Sequence, residues 1–151
     1  MSRILGIDHG TVRIGLALSD ELQIFANPLK TLDAHPDVEE EIATIVRQKR
    51  IEEVVIGLPL RMSGERGSAT ERVDRFADRL RKALPDEVQI HFVDERLSSA
   101  AAERSLGFTG KKLDVEQKKL VDQVAAVAIL QDYLNTKAGP EGWMLPDEEQ
   151  P

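Results

Sequence analysis

A chain of 151 residues with 41% hydrophobic content is of a size to bury one core and too short for two full catalytic lobes. It contains no cysteine, which excludes disulfides and thiolate zinc sites and is compatible with a reducing cytosol. A net charge of -7 excludes indiscriminate polyanion binding by long-range attraction, although Glu141, Asp147, Glu148 and Glu149, all beyond Gly139, carry more than half of it.

The N-terminus lacks a basic segment and meets Asp8 after a short apolar run, so it does not read as a signal peptide. No apolar stretch reaches the length of a membrane span. The expectation is a cytoplasmic protein with no membrane partner.

Residues 3–8 and 12–19 are rich in Ile, Val and Leu and flank the turn His9-Gly10-Thr11, a pattern that predicts a hairpin. A third strand around Gln23 to Thr31 completes a meander, with Pro28 marking an edge or a break. Pro36 takes a first-turn position in a helix running to Arg50, in which Val38, Ile42, Ile45 and Val46 recur at helical spacing. The continuous apolar run "EEVVIGLP" predicts a strand covered on both faces. It leads into the loop "GLPLRMSGERG".

Ser68, with Glu71 three residues later, forms a capping-box pattern, and Ala69, Val73, Phe76, Ala77, Leu80 and Leu84 give the helix it opens one apolar face. "VQIHFVDE" reads as another strand, "SSAAAERSL" as a short helix capped by Ser98 or Ser99, and "EQKKLVDQVAAVAILQDYL" as a final helix. Between those two helices "GFTGKKLD" is a polar, basic loop. The predicted organisation is one domain over residues 1–138 and an acidic, Pro- and Gly-containing tail over residues 139–151. Hairpin strands followed by alternating helices and strands predict an α/β fold: a mixed sheet with an N-terminal antiparallel meander and helices on both faces. The ribonuclease H-like fold has that order.

Acids at three places stand out. Strand parity puts Asp8 on the face of Ile4 and Gly6, at the rim of the core, where a carboxylate needs a partner or a cation. Taken alone, an aspartate before His9-Gly10-Thr11 reads first as a turn former. Asp94 and Glu95 stand at the carboxyl end of a strand, the edge at which open α/β sheets bind ligands, and alternation lets only one of the two enter a given site. Either also suits a salt bridge to Arg96 or the start of a helix. Asp122 shares a helix face with Ala125, Ala126, Ile129 and Tyr133, and the alternative of an ion pair with Lys118 runs in the less favourable order. If these carboxylates converge, their like charges call for cations, and hard oxygen donors suit magnesium or manganese.

The segments "GIDHGTVRIGLALSD", "VVIGLPLRMSGERG", "VDERLSS" and "VDQVAAVAILQDYL", in this order, resemble the YqgF/RuvX family of ribonuclease H-like proteins, known as Holliday junction resolvases, over nearly the whole chain to about Leu134. The resemblance implies a metal-dependent endonuclease or phosphodiesterase active in 5′-end maturation of precursor 16S ribosomal RNA. It implies catalytic and metal-binding roles for Asp8, Glu95 and Asp122, with Asp94 as a further candidate ligand, and two bound Mg2+ or Mn2+ ions. Gly10 would allow close backbone approach, and Thr11 and Arg13 would meet phosphate.

Around the acids, Arg61 and the amides of "MSGERG", Arg96, and Lys111, Lys112, Lys118 and Lys119 are candidate contacts to a nucleic-acid backbone. The series Arg72, Arg75, Arg79, Lys82 resembles a phosphate-tracking stripe, but Glu71 and Asp78 at four-residue spacing make it read as ordinary surface pairing. His9 is a candidate ligand or proton relay. With few aromatic side chains, recognition by backbone and shape is expected over base stacking. The sequence marks no dimer interface.

Structured RNA is the expected partner and branched DNA the alternative. Two other classes compete: a non-catalytic RNA-binding module, and a nucleotide-binding phosphotransferase, since the first hairpin also resembles that of actin-like sugar kinases and Hsp70 ATPases.

Overall fold

The computed structural model describes residues 2–60, 63–95 and 113–137. The elements follow in the order β1 (Arg3–His9), β2 (Arg13–Ser19), β3 (Ala26–Asp33), α1 (Val38–Gln48), β4 (Ile51–Leu58), α2 (Ser68–Ala83), β5 (Gln89–Asp94) and α3 (Val115–Lys137). The sheet runs β3-β2-β1-β4-β5. β1, β2 and β3 pair antiparallel, while β4 and β5 join parallel to β1. The expected mixed sheet with an N-terminal meander is therefore present.

Helices cover both faces. Leu5, Ile7, Ile14, Leu16, Val54 and Ile56 pack with α1 and α2, whereas Ile4, Ala17 and Val55 pack with Ala126, Ile129, Leu130 and Leu134 of α3. Central strands sandwiched this way must be apolar on both sides, which is why β1 and β4 read as unbroken apolar runs.

Several local expectations shift. The third strand begins and ends later than predicted, and Pro28 lies on the sheet's edge strand at an irregularity: Leu16 pairs with Lys30 but Ala17 with Pro28, which leaves Leu29 as an extra residue. Pro36 stands before α1, which starts at Val38 with Asp37 at its cap position, and Glu39, Glu40 and Glu41 complement the helix dipole in its first turn. α1 closes through Arg50 in a left-handed conformation (φ 55°), which turns the chain into β4. Ser68 is not the cap of α2. Gly67 is, and its amide donates to Thr70 Oγ1 (3.4 Å), whose hydroxyl donates in turn to the carbonyl of Pro59 (2.9 Å). α3 opens with a reciprocal capping box between Asp114 and Gln117 (2.8 and 3.0 Å). The predicted helix "SSAAAERSL", most of the "GFTGKKLD" loop and the acidic tail lie outside the described residues. Among the described residues no helix is long and apolar enough to cross a membrane.

α3 lies against a sheet face that carries glycines where the helix comes closest. A Cβ on Gly15 would overlap the backbone carbonyl of Asp122, one on Gly57 would come within 2.5 Å of Ile129 Cδ1, and one on Gly6 within 2.7 Å of Leu130 Cβ. Polar ties fix the register of the helix: Thr31 Oγ1 donates to the Lys119 carbonyl (2.8 Å), and Gln131 Oε1 accepts from the Ala26 amide (2.8 Å). At the far end Glu53 of β4 accepts from Tyr133 Oη (2.8 Å) and from Lys137 Nζ (2.9 Å).

Burial opposes ionisation of Glu53, but the hydrogen bonds from Lys137 and Tyr133 prevail and hold its pKa below the ordinary glutamate value. Burial and the Glu53 carboxylate push the Tyr133 phenol up. A depressed carboxylate pKa stabilises the fold above the ordinary value and ceases to do so as pH falls through the lowered one. Glu53→Gln therefore lowers unfolding free energy at pH 7 by about 1 kcal/mol at this largely buried position, and in urea titrations the difference from wild type shrinks as pH falls below 4.5 and vanishes only below the lowered pKa. Gly15→Ala, which sets a methyl against unyielding backbone, is expected to cost about 3 kcal/mol in the same assay, the upper end for overpacking. A loss under about 1 kcal/mol would show that α3 has room to retreat.

Candidate active site

β1 carries Asp8 on the face toward α3, as the parity of Ile4 and Gly6 requires. Its antiparallel partner is Gly15, the residue on which the backbone of Asp122 rests, so the missing side chain on β2 sets the third acid beside the first. β1, β4 and β5 run parallel and end at one edge of the sheet. Glu95 follows β5 at that edge. A Cβ on Gly57 would come within 3.0 Å of Glu95 Cγ and Oε2, so Glu95 lies over the end of β4 on the same face as Asp8.

Asp8, Glu95 and Asp122 thereby line one polar cleft of about 320 Å³, together with His9, Gly10, Thr11, Arg13, Pro59 and Arg72. Asp8 is 6% exposed and Glu95 8%, which puts two carboxylates nearly out of bulk water. Asp94 alternates away: it is half-buried and does not line the cleft, so of the adjacent acids the structure brings Glu95 to the site.

Arg13 Nε donates to Asp122 Oδ2 at 2.7 Å, both side chains about four-fifths buried. That contact replaces the pairing with Lys118 weighed from sequence. Among the described residues no three His, Cys, Asp or Glu side chains stand close enough to hold one ion as they are. The donor set itself, three carboxylates with no sulfur, is that of a hard divalent cation, and the guanidinium occupies one face of its third member.

The wall opposite α3 belongs to α2. The His9 ring packs on Phe76 with centroids 4.3 Å apart. Burial, followed by the nearby Arg72 and Arg79 guanidinia, lowers its pKa to about 4, so it is neutral at physiological pH. His9 Nδ1 and Arg72 Nε are buried and have no hydrogen-bond partner among the described residues. A group left in that state costs about 1–3 kcal/mol, more when charged.

Arg72 is the residue that sequence reasoning assigned to the surface. Its series does not act as one stripe: Arg79 crosses to Glu39 of α1 (3.0 Å), Asp78 meets Arg81 (3.1 Å) rather than Lys82, and Arg72 turns inward to the cleft. The signal was its spacing, three residues after Ala69 and four before Phe76, which sets it on the arc of the apolar face.

Thr11 is exposed at the cleft's mouth. Lys118 and Lys119 sit on the first turns of α3, one turn before Asp122 and outside the cleft lining, with Lys119 Nζ 3.8 Å from Glu116 Oε2. Arg61, Arg96, Lys111 and Lys112 lie outside the described residues.

Residues 2–136 match the RuvX family, described as Holliday junction resolvase. A Chloroflexus aurantiacus protein is 49% identical over 137 residues, covering 89% of this chain and 87% of its own, and a Bacteroides fragilis protein 42% identical over 138 residues, covering 91% and 99%; both are named "Putative pre-16S rRNA nuclease". Among solved structures, Thermus thermophilus RuvC in complex with a Holliday junction superposes with a TM-score of 0.56 at 14% identity, over 92% of this chain and 97% of that one. The fowlpox virus resolvase bound to junction DNA gives a TM-score of 0.53 at 10% identity, over 91% and 99%. These structural likenesses bear out the ribonuclease H-like fold. The sequence match bears out the family: this chain belongs to the RuvX family.

Proposed function

We propose that the chain is a metal-dependent nuclease that hydrolyses phosphodiester bonds, with precursor 16S ribosomal RNA as substrate and Asp8, Glu95 and Asp122 as its catalytic acids. The observation that carries this reading is the convergence of three carboxylates, from β1, the end of β5 and α3, on one cleft that also presents Arg13 and Arg72. A pure binding surface for a polyanion has no use for buried carboxylates at its centre. An enzyme that needs cations beside a phosphate does. The names of the 42–49% identical relatives support RNA, and with it a cytoplasmic place of work.

Asp8, Glu95 and Asp122 would hold Mg2+ or Mn2+, one ion or a pair, and such an ion would supply an ionised water near neutral pH and offset charge on the leaving oxygen. The chain's own groups do the rest. Asp8 is held rigidly by a central strand, which preserves the position of its oxygens. Arg13 neutralises Asp122 while no cation is present, and its guanidinium suits bidentate contact with a phosphate entering past Thr11. Lys118 and Lys119 add positive charge one turn from Asp122, and Arg61, Arg96, Lys111 and Lys112 are further candidate contacts on the ground of their charge alone. The family's name supports a second reading, cleavage of a four-way DNA junction.

Wild type should cut end-labelled precursor 16S RNA in Mn2+ or Mg2+ and not in chelator. Asp8→Asn should lose at least about 100-fold in rate, beyond the 10–100-fold typical of residues one step removed from a metal. Cutting of a four-way junction instead would move the substrate to DNA. Failure of folded, metal-loaded wild type to cut either would overturn the catalytic reading in favour of an RNA-binding module.

A further inference from the structure

Beyond the turn His9-Gly10-Thr11 lies a second cleft of about 300 Å³, bounded by α1 and α2 and lined in part by Thr11, Ala34, His35, Pro36, Arg72 and Arg79. Arg72 and His9 line this cleft and the acid cleft alike. The second cleft holds two guanidinia against a single carboxylate, Glu39, and Glu39 is already bonded to Arg79 Nε at 3.0 Å. His35 is likewise engaged, with Glu41 at 3.0 Å. Arg72 is left over. It has no hydrogen-bond or ion-pair partner among the described residues, and its Nε is shut off from solvent. A buried Nε–H with no acceptor is unfavourable unless an anion completes it, and the guanidinium's planar fork fits two phosphate oxygens.

We propose that this second cleft is a phosphate subsite, which takes a phosphodiester group of the strand adjacent to the one cut in the acid cleft, with Arg72 lying between the two. The subsite rests on the nuclease reading for the identity of the strand, but its affinity for phosphate does not. A nucleic-acid backbone crossing the turn presents successive phosphates to either side of it. The acid side carries the carboxylates and Arg13, the far side carries Arg79 paired with Glu39, and Arg72, which has no ion pair among the described residues, lines both. Such a division explains how a protein of negative net charge seats a polyanion: the attraction is local, beside the catalytic acids, instead of spread over the surface. It also gives the inward turn of Arg72 a purpose that surface pairing does not.

The direct test is a titration of 15N-labelled wild type with inorganic phosphate in the presence of chelator, following amide and arginine Nε–H signals. Saturable shifts are expected at Gly10, Thr11, Arg72 and Arg79. Arg72→Gln should weaken them at least about tenfold, Arg72→Lys should retain part of the affinity, and Arg75→Gln, an exposed arginine on the same helix, should leave it unchanged. Dispersed spectra from each variant confirm folding. Shifts that persist in Arg72→Gln, or that fall elsewhere on the surface, would overturn the subsite.

In cleavage assays Arg72→Gln should raise KM more than it lowers kcat. A neutral methylphosphonate placed at the adjacent phosphate should erase the difference from wild type. If wild type cuts no nucleic acid while phosphate still titrates through Arg72, the nuclease reading fails and the phosphate cleft stands. If wild type cuts while phosphate ignores Arg72, the subsite fails and the nuclease reading stands.

Discussion

The site depends on how closely α3 approaches the sheet. A helix normally keeps side chains between its backbone and the strands beneath it, but here Gly15 removes them at the point where the Asp122 backbone comes to rest. Because Gly15 is the hydrogen-bonding neighbour of Asp8, the same absence of a side chain that admits the helix also juxtaposes two acids distant in sequence. Gly57 does the equivalent for Glu95, whose methylene and carboxylate lie over the space a Cβ would fill. Packing and chemistry are therefore one constraint: any retreat of α3 separates the carboxylates it brings together.

Bringing those acids together sets up an electrostatic problem that the arginines partly answer. Arg13 balances Asp122 at 2.7 Å, and Arg72 contributes a second positive charge to the same walls. The result is a cleft of mixed sign, in contrast to an all-acidic hole that would repel phosphate. Neutral His9, packed on Phe76, lines both clefts without adding charge. The polar ties of Thr31, Ala26 and Glu53 to α3 keep the helix in register along its length, so the position of Asp122 is set from both ends of the helix.

Much of this was legible in the sequence. The apolar run of β4 announced a strand covered on both faces, and parity put Asp8 on the face of Ile4 and Gly6, which is the face where α3 packs. Alternation also implied that only one of Asp94 and Glu95 enters the cleft, although the register past Gly57 was needed to tell which. What escaped depends on tertiary pairing. Nothing local marks Gly15 as the neighbour of Asp8 or the seat of Asp122, because that relation exists only once β2 folds back and α3 docks. Arg72 was hidden for a different reason: its spacing fits a surface stripe and an inward arc equally, and only the position of α2 over His9 decides between them. The cap of α2 was misread because Ser68 and Glu71 fit the pattern, while Thr70 in the first turn bonds both Gly67 and Pro59.

The most direct test of the central claim, that α3 completes a single cation-binding centre from three distant acids, is paramagnetic line broadening. Substoichiometric Mn2+ added to 15N-labelled protein should broaden first the amides around Asp8, Gly57, Glu95 and Asp122, and Asp8→Asn should abolish that pattern while the rest of the spectrum stays dispersed. Broadening centred on the exposed acids Glu40 and Glu41, or unaffected by Asp8→Asn, would contradict the account.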